Sequence, residues 1–193
     1  MLLPKRDTER HTYADYLTWS DDQRYELIDG TAYVREPAPT RLHQNLAGHM
    51  YYQVMEVLEG TSCDVYISPF DVRLPKAGEA DDQIDTVVQP DVLIVRDRHK
   101  LDDRGMCGAP DWVAEVLSPS TAKHDRVLKR AVYERAGVRE LWLVHPIERK
   151  LTIYRLEDGH YGPATILELE GQTPIAAVPG VSIDWDRLLI NVA

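Results

Sequence analysis

The sequence predicts one α/β domain, in which helices pack on a mixed β-sheet. Two kinds of pattern support this class. Two stretches have the three- and four-residue apolar spacing of helices, and three apolar runs are typical of buried strands: Val87–Val95, Trp112–Leu117 and Leu141–Val144. A chain of 193 residues with 44% hydrophobic residues can bury one sizeable core. We therefore expect residues 1–193 to form a single domain, with its core at about residues 20–170.

Composition restricts the classes of function. The formal net charge of −10 opposes non-specific attraction to phosphate backbones, so a nucleic-acid function requires a local basic patch or a bound cation. Cys63 and Cys107 form no C-x-x-C motif, which argues against a zinc ribbon and against a disulfide scaffold. The chain begins without an apolar signal-peptide region and has no run that could span a membrane. We expect a cytoplasmic protein.

The N-terminal part predicts a helix, a hairpin and a second helix. Thr12 is a suitable cap for a short helix over Tyr13–Trp19. Asp29-Gly30 is a strong two-residue turn signal within a hairpin over Arg24–Val34. From Thr40 to Gly60 the apolar residues recur at helical spacing, and the glycine ends the helix.

The middle of the chain predicts short strands and loops. Cys63–Ser68 and Asp71–Leu74 are strand candidates. The acidic stretch Pro75–Asp85 is expected to be solvated and mobile, since it lacks apolar periodicity. Pro90 predicts a bulge or a strand start within the run that contains it. Arg96–Gly108 is expected to be a charged loop with one helical turn.

The C-terminal part predicts a helix, a strand and a hairpin. Ser120 or Thr121 can cap a helix over Ala122–Ala136. After the strand Leu141–Val144, the Glu157-Asp-Gly-His160 turn predicts a hairpin over residues 151–169. A short helix is expected at Trp185–Ile190.

Two acids, Asp91 and Glu115, lie inside apolar strand patterns. A buried carboxylate is costly unless a cation or hydrogen-bond donors meet it, so either a metal site or a structural polar network is implied. Carboxylates on adjacent strands, about 4.8 Å apart, repel each other unless a cation lies between them. Mg²⁺ prefers oxygen ligands and typically takes one or two carboxylates, with the Val116 carbonyl as a further ligand.

Lys129 lies on the helix that follows. Asp125, Lys129 and Tyr133 have i, i+4, i+8 spacing and therefore share one helix face. The lysine either points towards the metal, where it can orient or deprotonate a water molecule, or forms an ordinary pair with Asp125 on a solvated face.

An ordered series of motifs resembles one known family. The chain closely resembles the Uma-two family of putative restriction endonucleases, a bacterial branch of the PD-(D/E)xK nuclease superfamily, from about Tyr25 to Trp185. The motifs are Tyr25-Glu-Leu-Ile-Asp-Gly30, His43 at a helix start, Gln89-Pro-Asp-Val, Val113-Ala-Glu-Val-Leu-Ser-Pro-Ser-Thr121, Asp125, Lys129, Tyr133 and Ala136-Gly-Val-Arg-Glu-Leu-Trp-Leu-Val-His-Pro146.

The resemblance implies a restriction-endonuclease-like core that cuts phosphodiesters of DNA with Mg²⁺, for which Mn²⁺ can substitute, and leaves a 5′-phosphate. Asp91 matches the Pro-Asp acid, and Glu115 matches the second acid. The superfamily's usual lysine position is Leu117 here, and the family's displaced lysine is matched by Lys129. Glu26 matches an N-terminal acid that can join the metal shell.

Three residues have two interpretations each. His43 is either a hydrogen-bond donor or proton shuttle at the site, or a packed residue at a helix start. Tyr133 either positions Lys129 or fills the core, and Asp125 either orients Lys129 or caps the helix.

The distribution of acidic and basic residues in this chain departs from what is expected of a nuclease. Acids of residues 79–85 would repel a nucleic acid if they lay near the site. Basic residues that could offset them lie around the Lys129 helix and after the Asp91 strand: Lys123, His124, Arg126, Arg130, Arg96, Arg98, His99, Lys100 and Arg104. A charged face is also commonly just solvated.

Two functions follow from these observations. One is a Mg²⁺-dependent endonuclease, for which a homodimer is expected because cutting both DNA strands commonly takes two sites. The hairpin at residues 151–169 either provides the dimer interface or extends the sheet. The other is a non-catalytic module that binds a partner or senses nucleic acid. Metal binding discriminates between them, whereas the target sequence and the choice of DNA or RNA are not encoded in these motifs.

Overall fold

The computed structural model describes residues 9–19, 24–34, 39–118 and 125–189. The α-helices in these ranges are α1 (Tyr13–Tyr16), α2 (Arg41–Leu58), α3 (Arg130–Ala136) and α4 (Trp185–Leu189). A π-helical turn, Asp125–Lys129, leads directly into α3, and short 3-10 turns span Asp81–Gln83 and Arg98–Lys100. None of the helices in the described ranges has the length and apolar character that a membrane crossing requires.

The strands of the described ranges are short, and most are two to five residues long. In chain order they are β1 (Tyr25–Ile28), β2 (Thr31–Val34), β3 (Asp64–Ile67), β4 (Val72–Arg73), β5 (Val87–Val88), β6 (Val92–Val95), β7 (Leu101–Asp102), β8 (Gly105–Cys107), β9 (Trp112–Val116), β10 (Glu140–His145), β11 (Lys150–Glu157), β12 (His160–Tyr161), β13 (Thr165–Glu168), β14 (Gln172–Pro174) and β15 (Ser182–Asp184).

Two sheets account for most strands. The larger has seven strands, in the order β12-β11-β10-β9-β6-β3, with β13 also paired to β11. The smaller has six, in the order β2-β1-β5-β4-β8-β7, and β14 pairs with β15 separately. Strands β9 and β10 are parallel, whereas β6 and β11 each run antiparallel to their neighbours in the larger sheet. The predicted mixed sheet and α/β class are confirmed.

Helices cover both faces of the larger sheet. Val92 and Ile94 of β6 pack into the hydrophobic cluster that contains the apolar stripe of α2. Leu93 and Val95 pack into the cluster that contains Val132 and Tyr133 of α3. This alternation follows from the two-residue period of a strand, and it explains why the sequence of β6 is apolar throughout.

The N-terminal predictions are largely confirmed. The β1–β2 hairpin turns at Asp29 and Gly30, both with positive φ, as a two-residue turn of this type requires. Thr40 caps α2 by accepting a hydrogen bond from the backbone N–H of His43. Helix α1 ends at Tyr16, three residues earlier than predicted.

The apolar run 87–95 is two strands instead of one. Strand β5 belongs to the smaller sheet and β6 to the larger, so Gln89, Pro90 and Asp91 connect the two sheets. Pro90 has no N–H for a ladder hydrogen bond, which explains the interruption. The predicted strand start after the proline is confirmed.

Other differences concern short elements. Pairing of β7 with β8 forms a hairpin in the predicted charged loop, after the 3-10 turn at Arg98–Lys100. The pair β14–β15 was not predicted. The predicted helix over 122–136 is described from Asp125 onwards, and its proposed caps, Ser120 and Thr121, lie outside the described residues.

Candidate functional site

A buried lysine joins two acids from different sheets. The Lys129 Nζ atom lies 3.0 Å from Glu26 Oε1 and 2.6 Å from Glu115 Oε1. Glu26 comes from β1 and Glu115 from β9, and all three side chains are almost completely buried. Lys129 is therefore an ion-pair partner of both acids, and it lies in the interior instead of on a solvated face.

The π-helical turn and α3 bring two side chains to Glu115. Lys129 is the last residue of the turn, and Tyr133 lies one helical turn further on. The Tyr133 hydroxyl donates a hydrogen bond of 2.6 Å to Glu115 Oε1, the same oxygen that Lys129 approaches. Since π-helical turns change the register of a helix, this turn adjusts which side chains face the sheet. Tyr133 is buried in the core, as one interpretation predicted, and its hydroxyl binds Glu115. A role in positioning Lys129 stays a prediction.

Asp91 has its own pair of donors. Its Oδ2 atom accepts a hydrogen bond of 2.8 Å from the backbone N–H of Val116 and lies 3.1 Å from His43 Nε2. His43 comes from the first turn of α2, so the helix start is joined to the loop between the two sheets. His43 therefore contacts the proposed site, and its role as a hydrogen-bond donor or proton shuttle stays a prediction. Val116 contributes its N–H to this group, and ligation by its carbonyl stays a prediction.

The strand register brings the two acids to one end of the larger sheet. Val92 of β6 is the antiparallel partner of Ala114 in β9. Asp91 precedes the first of these residues and Glu115 follows the second, so the acids occupy the next pair of facing positions. The side chain of Asp125, the remaining predicted site residue, lies outside the described residues.

The charges of this group do not balance. Glu26, Asp91 and Glu115 are at most 4% exposed, and Lys129 is fully buried among them. Three carboxylates and one lysine leave a formal charge of −2, before any charge on His43. Burial of such a surplus is unfavourable without a further cation. Carboxylate oxygens are the donors that Mg²⁺ prefers, so the chemistry of the donor set suits this ion.

Within the described ranges, no group of three or more His, Cys, Asp or Glu side chains is arranged to hold a metal ion. The smaller set that remains, Asp91 and Glu115, is still compatible with Mg²⁺, which commonly keeps several waters and takes one or two carboxylates.

A fourth acid next to the site was not found by sequence reasoning. Asp71 accepts hydrogen bonds from the Gln89 side-chain amide, at 2.8 Å, and from the Tyr16 hydroxyl, at 3.0 Å. The backbone N–H of Gln89 also donates to Glu26 Oε1, at 2.8 Å. Burial raises the pKa of Asp71, although the hydrogen bonds from Gln89 and Tyr16 partly oppose the shift. Burial raises the pKa of the Tyr16 hydroxyl, and the negative charge of Asp71 raises it further.

The signal that could have indicated this group is Gln89, which stands directly before Pro90 and Asp91. A polar side chain after the apolar pair Val87–Val88 requires a hydrogen-bond partner if it is buried. Its partner, Asp71, comes from a distant part of the chain and has no recognisable spacing to it.

The acidic stretch 79–85 is held by basic partners. Arg73, which is 1% exposed, pairs with Asp81 and Asp102. Lys76 pairs with Asp85, whose pKa is lowered because hydrogen bonds from Lys76, Thr86 and Arg10 outweigh the opposing effect of burial. Ile84 is completely buried. The predicted segment, Pro75–Asp85, is solvated in part, since Ala77, Gly78, Asp82 and Gln83 are exposed. Its ion pairs and the burial of Ile84 were not predicted, because the sequence does not show long-range partners.

The predicted basic residues after β6 do not lie at the acids. Asp91 precedes β6 and Arg96 follows it, so the basic loop starts at the opposite end of the strand. Arg98 pairs with Asp64, and Arg104 pairs with Asp81. Among the residues around α3, Lys123 and His124 and the side chain of Arg126 lie outside the described residues. The guanidinium of Arg130 lies over the Tyr154 ring.

Comparisons with known proteins agree with the fold. The family model Uma2, described as "putative restriction endonuclease", matches residues 13–188. A solved structure described as a "putative nuclease belonging to DUF820" from Anabaena variabilis ATCC 29413 has 17% sequence identity and a TM-score of 0.74. The match covers 94% of this chain and 99% of that chain, and at this identity it shows a shared fold. No curated protein matches the chain.

Proposed function

The chain belongs to the Uma2 family of putative restriction endonucleases, and from this premise we propose that it is a metal-dependent nuclease. Its reaction is hydrolysis of a phosphodiester bond in DNA, with water as the nucleophile and a 5′-phosphate as one product. The observation that carries the proposal is the buried group Glu26, Asp91, Glu115 and Lys129, with its surplus of negative charge at one end of the larger sheet.

Asp91 and Glu115 would hold Mg²⁺ or Mn²⁺, with the Val116 carbonyl as a further oxygen ligand and Glu26 in or near the shell. The bound ion supplies polarisation of the phosphate and of a water molecule. Both acids are held in place independently of a ligand, because the Val116 N–H and His43 approach Asp91, and Tyr133 donates to Glu115. Such support keeps the acids within the narrow tolerance that catalysis requires.

Lys129 is proposed to orient the attacking water and to stabilise negative charge that develops on the phosphate oxygens. Its ammonium group already contacts the acid at the end of β9, so it lies next to the proposed metal ligand. During hydrolysis the water oxygen bonds to phosphorus and the water gives up a proton to solvent. The bond from phosphorus to the 3′ oxygen breaks, and that oxygen takes up a proton from solvent and leaves as a hydroxyl. His43 and Tyr133 are positioning residues for Asp91 and Glu115 respectively.

A second candidate function is a non-catalytic binding module with the same fold. One observation favours it: Lys129 ion-pairs with Glu26 and Glu115 and thereby offsets part of their charge without a metal. The two functions differ in their need for a divalent cation. The module is stable and active in its binding without one, whereas the nuclease requires it.

Two further features are proposed. Strand β13 is paired only to β11 in the described part of the sheet, and it exposes Ile166 and Leu167. We propose that this edge contributes to a homodimer, which would supply two sites for two DNA strands.

Cys63 and Cys107 are free cysteines, consistent with the proposed cytoplasmic location.

The deciding experiment titrates Mn²⁺ and Mg²⁺ into the wild type and into Glu115→Gln, and then incubates each protein with supercoiled plasmid and with single-stranded DNA. Glu140→Gln is the matched control, because Glu140 is also 1% exposed but lies at the opposite end of the sheet. We expect metal binding and cleavage by the wild type and by the control, and loss of both in Glu115→Gln. A wild type that neither binds metal nor cuts DNA excludes the nuclease and leaves the binding module.

A further inference from the structure

The segment that connects the two sheets, Gln89–Asp91, lies beside a second connecting segment, residues 68–71. The backbone N–H of Ser68 donates a hydrogen bond of 3.0 Å to the carbonyl oxygen of Asp91. Asp71 accepts a hydrogen bond of 2.8 Å from the side-chain amide of Gln89. Both ends of the connection are therefore attached to residues for which the proposed reaction has no role.

Strand pairing brings Asp71 and Gln89 together. Val72 of β4 is the antiparallel partner of Val88 in β5. Asp71 precedes the first of these residues and Gln89 follows the second, so the two side chains occupy the next pair of facing positions. The register of the smaller sheet thus determines that this acid meets this amide.

Asp71 is itself held from two directions. Its carbonyl oxygen accepts a hydrogen bond of 3.0 Å from the backbone N–H of Met106 in β8. Gly105, with a φ of +115°, permits this approach, because a Cβ atom there would overlap the Asp71 carbonyl oxygen. The Tyr16 hydroxyl of α1 donates a hydrogen bond of 3.0 Å to Asp71 Oδ1, the oxygen that also accepts the Gln89 amide. The Asp71 carboxylate is therefore a fixed acceptor for Gln89.

Gln89 transmits this constraint to the acids of the proposed site. Its backbone N–H donates a hydrogen bond of 2.8 Å to Glu26 Oε1, the oxygen that lies 3.0 Å from Lys129 Nζ. Because Asp71 holds the side chain of Gln89, the peptide of Gln89 cannot rotate without breaking that hydrogen bond. Asp91 is two residues further along the chain, so a rotation at Gln89 would displace it as well.

Stability alone does not account for the Asp71–Gln89 pair. Burial raises the pKa of Asp71, so the ionised carboxylate costs stability at neutral pH. Gln89 is only 6% exposed, so its amide also loses its contact with water. An apolar pair of similar size would avoid both costs. Functional sites accept such costs where they require a fixed geometry.

We infer that Asp71 and Gln89 are positioning residues of the proposed site, which fix Glu26 and Asp91 relative to each other. The inference rests on the proposed nuclease function, since it concerns the geometry of the same site. Neither residue is assigned a contact with the metal or with DNA, because their effect passes through the backbone of Gln89.

Gln89→Leu removes the amide without adding a charge. Gln53→Leu is the matched control, because Gln53 is also 6% exposed and its side chain forms two hydrogen bonds, with the backbone of Asp184. Both replacements should lower the melting temperature. Only Gln89→Leu should weaken Mn²⁺ binding and lower kcat, each by about tenfold or more, the loss typical when the support of a metal ligand is removed. KM for the plasmid should stay close to the wild-type value.

An exchange of donor and acceptor separates geometry from charge. Gln89→Glu places two carboxyl groups opposite each other, and it should lose Mn²⁺ affinity and cleavage. In the double variant Gln89→Glu, Asp71→Asn, an amide and a carboxylate face each other again, with their positions exchanged and the total charge of the wild type. This variant should recover most of the Mn²⁺ affinity and cleavage rate that Gln89→Glu loses.

A double-mutant cycle between Gln89→Leu and Glu26→Gln, measured by chemical denaturation in EDTA, tests the link to Glu26 without a metal. If the Gln89 side chain positions the N–H that holds Glu26, the two losses of stability should be non-additive. Additive losses would contradict the link.

Two further outcomes overturn the inference: Gln89→Leu with the Mn²⁺ affinity and kcat of the wild type, or an exchange variant that performs no better than Gln89→Glu. The wild type decides the proposed function separately. If it neither binds Mn²⁺ nor cuts while the cycle is non-additive, the nuclease function fails and the positioning of Glu26 stands. If the wild type cuts and Gln89→Leu cuts equally well, only the positioning role fails.

Discussion

Lys129 and Glu115 form a buried ion pair of 2.6 Å, although the lysine comes from the turn before α3 and the glutamate from β9. The position two residues after Glu115 is Leu117, a buried apolar residue that packs in the core on the α3 side. Lys129 therefore approaches Glu115 from the side of α3. A lysine at position 117 would approach the same acid from its own strand.

Glu115→Gln should lower kcat by about 10²-fold or more, because it removes a charged oxygen from the proposed metal site. The plasmid cleavage rate at a Mg²⁺ concentration that saturates the wild type measures the effect. Glu140→Gln, which also removes a buried carboxylate, should cut at a rate close to that of the wild type. A Glu115→Gln protein with unchanged kcat would exclude this acid from catalysis.

Lys129→Met should destabilise the protein by about 3–5 kcal/mol, because it leaves two buried carboxylates without their cation. Chemical denaturation in EDTA measures this loss. The double variant Lys129→Met, Glu26→Gln should recover part of the stability, because one of the two charges is then absent. Mn²⁺ should raise the melting temperature of Lys129→Met more than that of the wild type, since the cation then replaces the ammonium group.

Tyr133→Phe should cost about 1–3 kcal/mol, because it removes a hydrogen bond to a charged group. Tyr161→Phe is the control, since the buried Tyr161 hydroxyl has no hydrogen-bond partner among the described residues. The control should unfold at the same denaturant concentration as the wild type, or at a higher one. Equal destabilisation by both replacements would contradict a specific role of Tyr133 at Glu115.

Asp71 and Asp85 should affect the pH dependence of stability with opposite signs. Burial raises the pKa of Asp71 above 3.8, so its ionisation costs stability as the pH rises through this range and beyond. The pKa of Asp85 is lowered below 3.8 by its hydrogen bonds, so its contribution is present above that pH and is lost as the pH falls further. Melting curves between acidic and neutral pH measure both.

Relative to the wild type, Asp71→Asn should be more favourable at neutral pH than in acid, where the wild-type side chain is already protonated. Asp85→Asn should be destabilising at neutral pH and less so in strong acid. Parallel pH profiles of the two variants would show that burial and ion pairing do not act on these carboxyls as described.

Local sequence signals predicted the elements that depend on short-range chemistry. The Asp29-Gly30 turn and the Thr40 cap each involve residues a few positions apart, and both are confirmed. By contrast, the ion pairs of Arg73 with Asp81 and Asp102 join separate segments, and no periodicity indicates them. Local patterns therefore predict a solvated loop in the acidic stretch, whereas the structure anchors part of it.

The proposed site shows the same limit. Asp91 and Glu115 are predictable because charged residues in apolar strand patterns require partners, whereas Lys129 follows from helix spacing and from the family resemblance. The structure brings Glu115 and Lys129 together. The attachment of Asp91 to His43 could be proposed only in general terms, since a helix start and a strand start approach each other through the tertiary fold. Asp71 was missed for this reason as well.

The connection Gln89–Asp91 is anchored at both ends by different sheets, with β5 before it and β6 after it. Gln89 holds Glu26 of the smaller sheet, while Asp91 accepts the Val116 N–H of the larger one. If one sheet shifts against the other, the distance between Glu26 and Asp91 must therefore change. The spacing of the acids is therefore coupled to the packing between the sheets, so a substitution at the sheet boundary can alter it without replacing a proposed ligand.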